Sequence, residues 1–173
     1  MRLGLIFDLD QTLVDSSIAE AYRDSRQWQK VYELIPSFRL YDGMREVLDE
    51  IVRMEFPIVV ATSSHSSYCL RVLKYWDIPN IGTICFHDTT RRKPFPDPIL
   101  KAISLYLKDC NKVLSFGDRD IDIKASNDAK VISVACTWGS ADPKTLSKSN
   151  PTHTISDSVE ILKIINFYNG GVL

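Results

Sequence analysis

The run Leu3-Gly4-Leu5-Ile6-Phe7, followed at once by Asp8-Leu9-Asp10-Gln11-Thr12, constrains the fold more than any other stretch. An uninterrupted apolar run ending in a polar cluster reads as a strand buried on both faces that delivers its acids to a sheet edge. Asp8 and Asp10 are two apart, so both can face one volume of solvent while Leu9 turns back into protein. Two carboxylates that close repel each other unless a cation neutralises them or one keeps a proton. The same Asp-x-Asp is also ordinary turn chemistry, with carboxylates bonding nearby amides, and this stretch alone does not separate the two.

Four further apolar runs, at 58–61, 83–86, 112–116 and 131–135, alternate with segments of helical periodicity. That alternation predicts an α/β fold with a parallel sheet flanked by helices. Helices are expected after Asp42 as cap, with Val47, Leu48, Ile51 and Val52 on one face, and over 65–76, with Ser63 or Ser64 as cap and Leu70, Leu73 and Trp76 inward. Others are expected over 98–107, with Pro98 in the first turn, and over 120–129 and 159–167. Residues 15–40 differ: polar and aromatic, with no strand run, they predict one or two short helices ending at Pro36. This reads as an insert over the tip of the first strand, within a single domain spanning 1–173. Residues 141–152, rich in Pro, Ser and Lys, are expected to form a surface connection.

With 173 residues, 45% of them hydrophobic, the chain can close a sizeable core without staples. A formal charge of −1, from 21 basic and 22 acidic side chains, carries no strong nucleic-acid signal and no membrane-surface signal. Cys69, Cys85, Cys110 and Cys136 are scattered, with neither C-x-x-C nor histidine at ligand spacing, so reduced thiols are expected. The start of the chain lacks signal-peptide character and no run approaches a membrane span, so a cytoplasmic protein is expected.

Polar groups recur where the runs end. The second run stops at Thr62-Ser63-Ser64, a hydroxyl-rich entrance to a helix. Lys93 precedes Pro94 and is therefore held in extended backbone, although a lone lysine is ordinarily solvated surface. The fourth run ends in Gly117-Asp118-Arg119-Asp120-Ile121-Asp122, three more carboxylates beside a glycine that permits close approach. Strands of a parallel sheet point one way, so these ends meet along one edge, where ligands bind. Acids gathered there require a hard cation, and an oxygen-only donor set suits magnesium.

Asp8-Leu9-Asp10-Gln11-Thr12, then Thr62, then Lys93-Pro94, then Gly117-Asp118 with Asp122, resemble in order the four motifs of the haloacid dehalogenase superfamily. Trp138-Gly139 resembles its phosphoglycolate-phosphatase-like branch. The resemblance implies a Rossmann-like sheet of order 5-4-1-2-3, a short helical cap at 15–40, and Mg²⁺-dependent hydrolysis of a phosphorylated substrate. It implies Asp8 as nucleophile, forming an aspartyl-phosphate, with Asp10 as general acid and base. Leu9, Asp10, Thr62, Ser63 and Lys93 would hold the phosphoryl group, and Asp8, the Asp10 carbonyl, Asp118 and Asp122 the metal. On this reading the metal and Lys93 keep Asp8 ionised while burial keeps Asp10 protonated.

Gln11 and Arg119 depart from the family pattern, which favours glycine and a small residue there. The insert is also shorter than the caps of members acting on small metabolites. It predicts a large substrate, or a homo-oligomer supplying the missing wall, with Tyr22, Arg23, Arg26 and Trp28 the insert residues of interest. Packing of the insert onto the core is the structural role expected of Trp28, and solvent exposure that of Arg91 and Arg92. A small-metabolite phosphatase, a sugar phosphomutase and a non-catalytic phosphate-binding or scaffolding module are the competing readings.

Overall fold

A computed structural model describes residues 2–170. Met1 and residues 171–173 of the expected 1–173 unit lie outside the described residues. The chain runs β1 (Leu3–Phe7), β2 (Val14–Asp15), α1 (Glu20–Asp24), α2 (Trp28–Leu34), β3 (Arg39–Leu40), α3 (Met44–Arg53), β4 (Ile58–Ala61) and α4 (Ser66–Tyr75). It continues with β5 (Gly82–Ile84), α5 (Asp97–Ala102), β6 (Lys112–Gly117), α6 (Asp120–Asp128), β7 (Ile132–Cys136), α7 (Pro143–Lys148), β8 (His153–Ile155) and α8 (Glu160–Tyr168).

The main sheet has order β5-β4-β1-β6-β7-β8 and every ladder in it is parallel. Read from β7 to β5, its five major strands give the expected 5-4-1-2-3 order. β1 lies near the centre with every residue buried. Its side chains alternate: Leu3, Leu5 and Phe7 join the layer formed by α3, α4 and α8, whereas Ile6 joins that of α5 and α6. Burying each of Leu5, Ile6 and Phe7 contributes about 1.5–3 kcal/mol. Phe7 also stacks on Phe116 of β6 at 4.5 Å, fixing the two strand tips side by side.

Several helices differ from expectation in detail. α3 begins after Gly43 rather than under an Asp42 side-chain cap, and Val52 is exposed. α4 turns Tyr68, Cys69, Val72 and Leu73 inward, leaving Leu70 in solvent. The expected 98–107 helix is α5 continued by a π-helical stretch, Ile103–Leu107, with Leu100 and Leu105 exposed. Residues 141–152 are more than a connection: Asp142 caps α7 by accepting from the Thr145 amide at 3.0 Å, and the chain then enters the short edge strand β8. All four cysteines are free thiols. Among the described residues no helix is long and apolar enough to cross a membrane.

The insert is closed at its base by the antiparallel β2–β3 pair. Between them lie α1, α2 and 3₁₀ turns at Ser17–Ala19 and Ile35–Ser37. Ala19, Val31, Ile35 and Phe38 are buried in the same cluster as Leu5 and Phe7. Polar contacts pin the insert to α4, with Tyr32 Oη 3.1 Å from Ser67 Oγ and Trp76 Nε1 donating to the Ile35 carbonyl at 3.2 Å.

Candidate active site

Parallel register brings the tips of three strands level, Phe7 pairing with Val60 on one side and Phe116 on the other. The Asp8 amide donates to the Phe116 carbonyl at 2.9 Å, and the Thr62 amide to the Ile84 carbonyl at 2.9 Å. The residues just beyond the tips therefore share one floor. There, Asp8, Asp118 and Asp122 each present a carboxylate oxygen within 4.8 Å of the others. Asp122 reaches this floor from the first turn of α6, where its Oδ2 also accepts from the Arg119 amide at 3.1 Å. Gly117 is required for that fit, since a Cβ there would lie 2.4 Å from the Asp122 Cβ.

Lys93 braces the floor from below. Its Nζ lies 2.8 Å from Asp8 Oδ1, 2.7 Å from Asp122 Oδ1 and 2.7 Å from the Ala61 carbonyl, and its side chain is only 3% exposed. Burial opposes its charge, yet Asp122 and Asp8 outweigh burial and lift its pKa above the ordinary lysine value. Hydrogen bonds to Asp8 and the Ala61 carbonyl and the adjacent Asp122 carboxylate tie the Lys93 ammonium into the floor.

The acids respond to the same crowding. Burial, opposed by Lys93 and assisted by Asp122, raises Asp8 to about 7. Burial, then repulsion from Asp8 and Asp122, raises Asp118 to about 8, although Thr12 Oγ1 donates to it at 3.0 Å. One lysine does not balance three buried carboxylates. An oxygen-only set this close has the composition of a hard divalent-cation site, so these residues could hold a metal.

Asp10 stands apart from that cluster, in a pocket of donors. Its Oδ1 pairs with Arg23 and accepts from Ser16 Oγ at 2.6 Å and Tyr68 Oη at 2.5 Å; its Oδ2 accepts from Ser64 Oγ at 2.8 Å. Burial thus weighs on Asp8, whereas the insert's arginine supplies Asp10 with a counter-charge. Ser64, one of the two expected caps of α4, does not fill that position, which is His65, with no side-chain capping bond.

The remaining expected residues fall as follows. Thr62 is buried, its Oγ1 accepting from the Ser64 amide at 3.1 Å, and Ser63 is exposed; both line the cavity above the floor. The Leu9 side chain is in the core, leaving only its backbone for a ligand. Gln11 adopts a left-handed φ of 64°, the conformation for which glycine is favoured, and its side chain accepts from Tyr41 Oη at 2.8 Å. Trp138 Nε1 donates to the Thr12 carbonyl at 3.1 Å, and Gly139 packs so tightly that a Cβ would overlap the Gln11 carbonyl. Arg91 pairs with Asp97, and Asp120 with Lys124.

Thr12, Ser16 and Tyr68 were not singled out by sequence. Thr12 carries a signal in its place four residues after Asp8. Tyr68 carries none, because an aromatic residue on an apolar helix face reads as core.

Above the floor is a cavity of about 590 Å³, walled in part by Ser17, Glu20, Arg23, Asp24 and Trp28 of the insert. The short insert thus reaches over the acids. Trp28 both packs on the core and faces this space.

Residues 18–136 match the family described as haloacid dehalogenase-like hydrolase. The chain is 30% identical over 148 residues to the "Putative pyrophosphatase PpaX" of Caldanaerobacter subterraneus subsp. tengcongensis, covering 84% of this chain and 66% of the relative. It is 30% identical over 124 residues to N-acetylmuramic acid 6-phosphate phosphatase of Pseudomonas aeruginosa, covering 70% of this chain and 53% of the relative. The chain therefore spans about half to two thirds of the length of these curated relatives. A "predicted phosphoglycolate phosphatase" from Haemophilus somnus 129PT superposes with a TM-score of 0.80 at 22% identity, covering 94% of this chain and 97% of that one, a likeness of fold. Strand-tip acids, buried lysine and family match agree: the chain belongs to the haloacid dehalogenase-like hydrolase family.

Proposed function

We propose that this chain is a magnesium-dependent phosphatase that hydrolyses a small phosphate monoester through a covalent aspartyl-phosphate on Asp8. The observation carrying this reading is the pairing of two differently furnished carboxylates at one strand tip. Asp8 belongs to the crowded, cation-demanding floor, and Asp10, two residues on, has its own set of donors. Two acids whose surroundings differ this much can take different roles.

Asp8, Asp118 and Asp122 would hold the magnesium, with the Asp10 carbonyl as a further oxygen. Bound there, the ion neutralises the buried acids and the oxygens of the phosphoryl group. An oxygen of ionised Asp8 attacks phosphorus; the bond to the leaving oxygen breaks, and Asp10 gives that oxygen its proton. Asp10, now ionised, takes a proton from water as the water attacks phosphorus and releases Asp8. The Arg23 ion pair stabilises Asp10 in this second, proton-accepting state. Thr62, Ser63 and the backbone after Asp8 hold the phosphoryl oxygens. Lys93 keeps the Asp8 and Asp122 carboxylates in place.

A cavity of about 590 Å³, closed in part by the insert, is within the range of small-molecule sites and favours a small substrate over a polymer. Residues 15–40 act as its cap. Relatives named for pyrophosphate, N-acetylmuramic acid 6-phosphate and phosphoglycolate hydrolysis support the reaction class. Release of phosphate from a generic aryl phosphate, with and without magnesium, tests the reading. Wild-type protein should turn over only with the ion and Asp8→Asn not at all; equal slow rates for both would favour a phosphate-binding module.

A further inference from the structure

The cavity has two chemically distinct ends. Over β6 and β7 its wall is polar, with Arg119, Asp120 and Asp142. Over β4 and β5 it is aromatic, with Trp28, His65 and Phe86. These three rings form a connected surface. His65 stacks on Phe86, centroids 5.0 Å apart and planes 18° from parallel, and Trp28 meets His65 edge-on at 5.1 Å. Arg92 is drawn into the same layer, its guanidinium 3.7 Å from the Phe86 ring centroid and its Nε donating to the Phe86 carbonyl at 3.1 Å. Burial, then His87 and Arg26, lowers the His65 pKa, which favours the uncharged ring in this stack.

Asp10 decides which end the leaving group occupies, because the group that protonates the leaving oxygen must lie beside it. Tyr68, whose hydroxyl contacts Asp10, has its ring 6.2 Å from Trp28, and Ser64, the other contact, immediately precedes His65. The leaving group therefore emerges against the rings. Of the cations lining the cavity, Arg23 is committed to Asp10 and Arg119 stands at the opposite end, while Glu20 and Asp24 add negative charge from α1. Among the described residues lining the cavity, no arginine or lysine stands at the aromatic end; Arg92, outside that lining, is stacked on the Phe86 ring.

Resting on the phosphatase reading above, we infer that Trp28, His65 and Phe86 form a leaving-group subsite for a flat, uncharged aromatic ring. The substrates are then monoesters of ring-bearing alcohols, such as nucleosides, in preference to pyrophosphate or a small carboxylate-bearing monoester. Trp28 and Phe86 set this selectivity by stacking, which tolerates many ring systems.

The test uses a pair with alcohols of similar acidity, benzyl phosphate and cyclohexylmethyl phosphate, with pyrophosphate and phosphoglycolate alongside. Benzyl phosphate should exceed its saturated partner by about tenfold in kcat/KM, chiefly through KM, and Trp28→Leu or Phe86→Leu should each bring the ratio to within about twofold of one. Calorimetric binding of the corresponding non-hydrolysable phosphonates, with magnesium, reads the subsite without turnover and should show the same preference. Turnover with equal kcat/KM for the pair, ratios unchanged in both variants, or a clear preference for pyrophosphate or phosphoglycolate would overturn the subsite. Ring-selective phosphonate binding lost in both variants, without any Asp8-dependent turnover, would keep the subsite and overturn the phosphatase reading.

Discussion

The floor and the insert reach the same cavity by different physical routes. The floor gathers Asp8, Thr62, Lys93, Asp118 and Asp122 from across the chain because a parallel sheet must bring its strand ends to one edge. The insert builds its wall locally, from two short helices on a two-residue ribbon, and touches the chemistry through Arg23. Topology thus fixes which groups meet on the floor, while local sequence builds the insert's side of the cavity wall. Substitutions in the floor should abolish turnover or destabilise the protein. Substitutions in the wall should change which substrate is turned over and how firmly Asp10 is held.

The largest effect falls on the floor. Asp8→Asn should lower turnover by at least ~10⁴-fold for every substrate, because no neighbouring group can replace the nucleophile. A substrate-dependent loss would blur the division. Asp10→Asn should slow turnover ~10²–10⁴-fold, most for alcohols that are poor leaving groups, while metal binding at the other acids persists. Equal losses for good and poor leaving groups would remove the proton-transfer role.

Lys93→Met tests the floor as structure. Removing one partner of a buried ion cluster should cost about 3–5 kcal/mol in metal-free protein, measured by urea unfolding. Magnesium should restore part of the loss. Arg23→Met tests the wall: the Arg23 and Asp10 side chains are 15% and 16% exposed and three hydroxyls remain on Asp10, so the cost should be only about 1–2 kcal/mol. A loss as large as that from Lys93 would mean the insert is as integral to stability as the floor.

The smallest expected effect concerns pH. Asp8 and Asp118 release their protons near 7 and 8 in the folded protein, against 3.8 for an unperturbed aspartate. Their folded-state proton binding stabilises the metal-free protein at low pH, and this contribution falls as pH rises from about 4 through both folded values. Magnesium competes for the ionised form, so its stabilising effect should be greater at about pH 8.5 than at about pH 5.5. With magnesium at about four times its Kd the gain in Tm should be roughly 2–4 °C at the higher pH. A gain independent of pH would place the ion elsewhere.

The same contrast explains what sequence could show. Apolar runs ending in acids located the floor because the periodicity of a buried parallel strand and the position of its end are both local signals. Strand order followed from the family resemblance. Ser64 was misplaced because a hydroxyl before a helix is equally suited to capping an amide or bonding an acid. Tyr68 was hidden by an apolar helix face, and β8 by its shortness behind the polar 141–152 stretch. The Arg23–Asp10 pair depends on how the insert docks on α4, which neither residue reveals alone. The surroundings of Asp10 were hidden for that reason: its counter-charge comes from a segment whose orientation only packing determines.

Covalent capture at Asp8 tests the central claim most directly. Protein quenched with acid during magnesium-dependent turnover, then digested and analysed by mass spectrometry, should carry a phosphoryl group on the peptide containing Asp8, and Asp8→Asn should carry none. Turnover with that peptide unmodified throughout, or modification at another residue, would contradict the account.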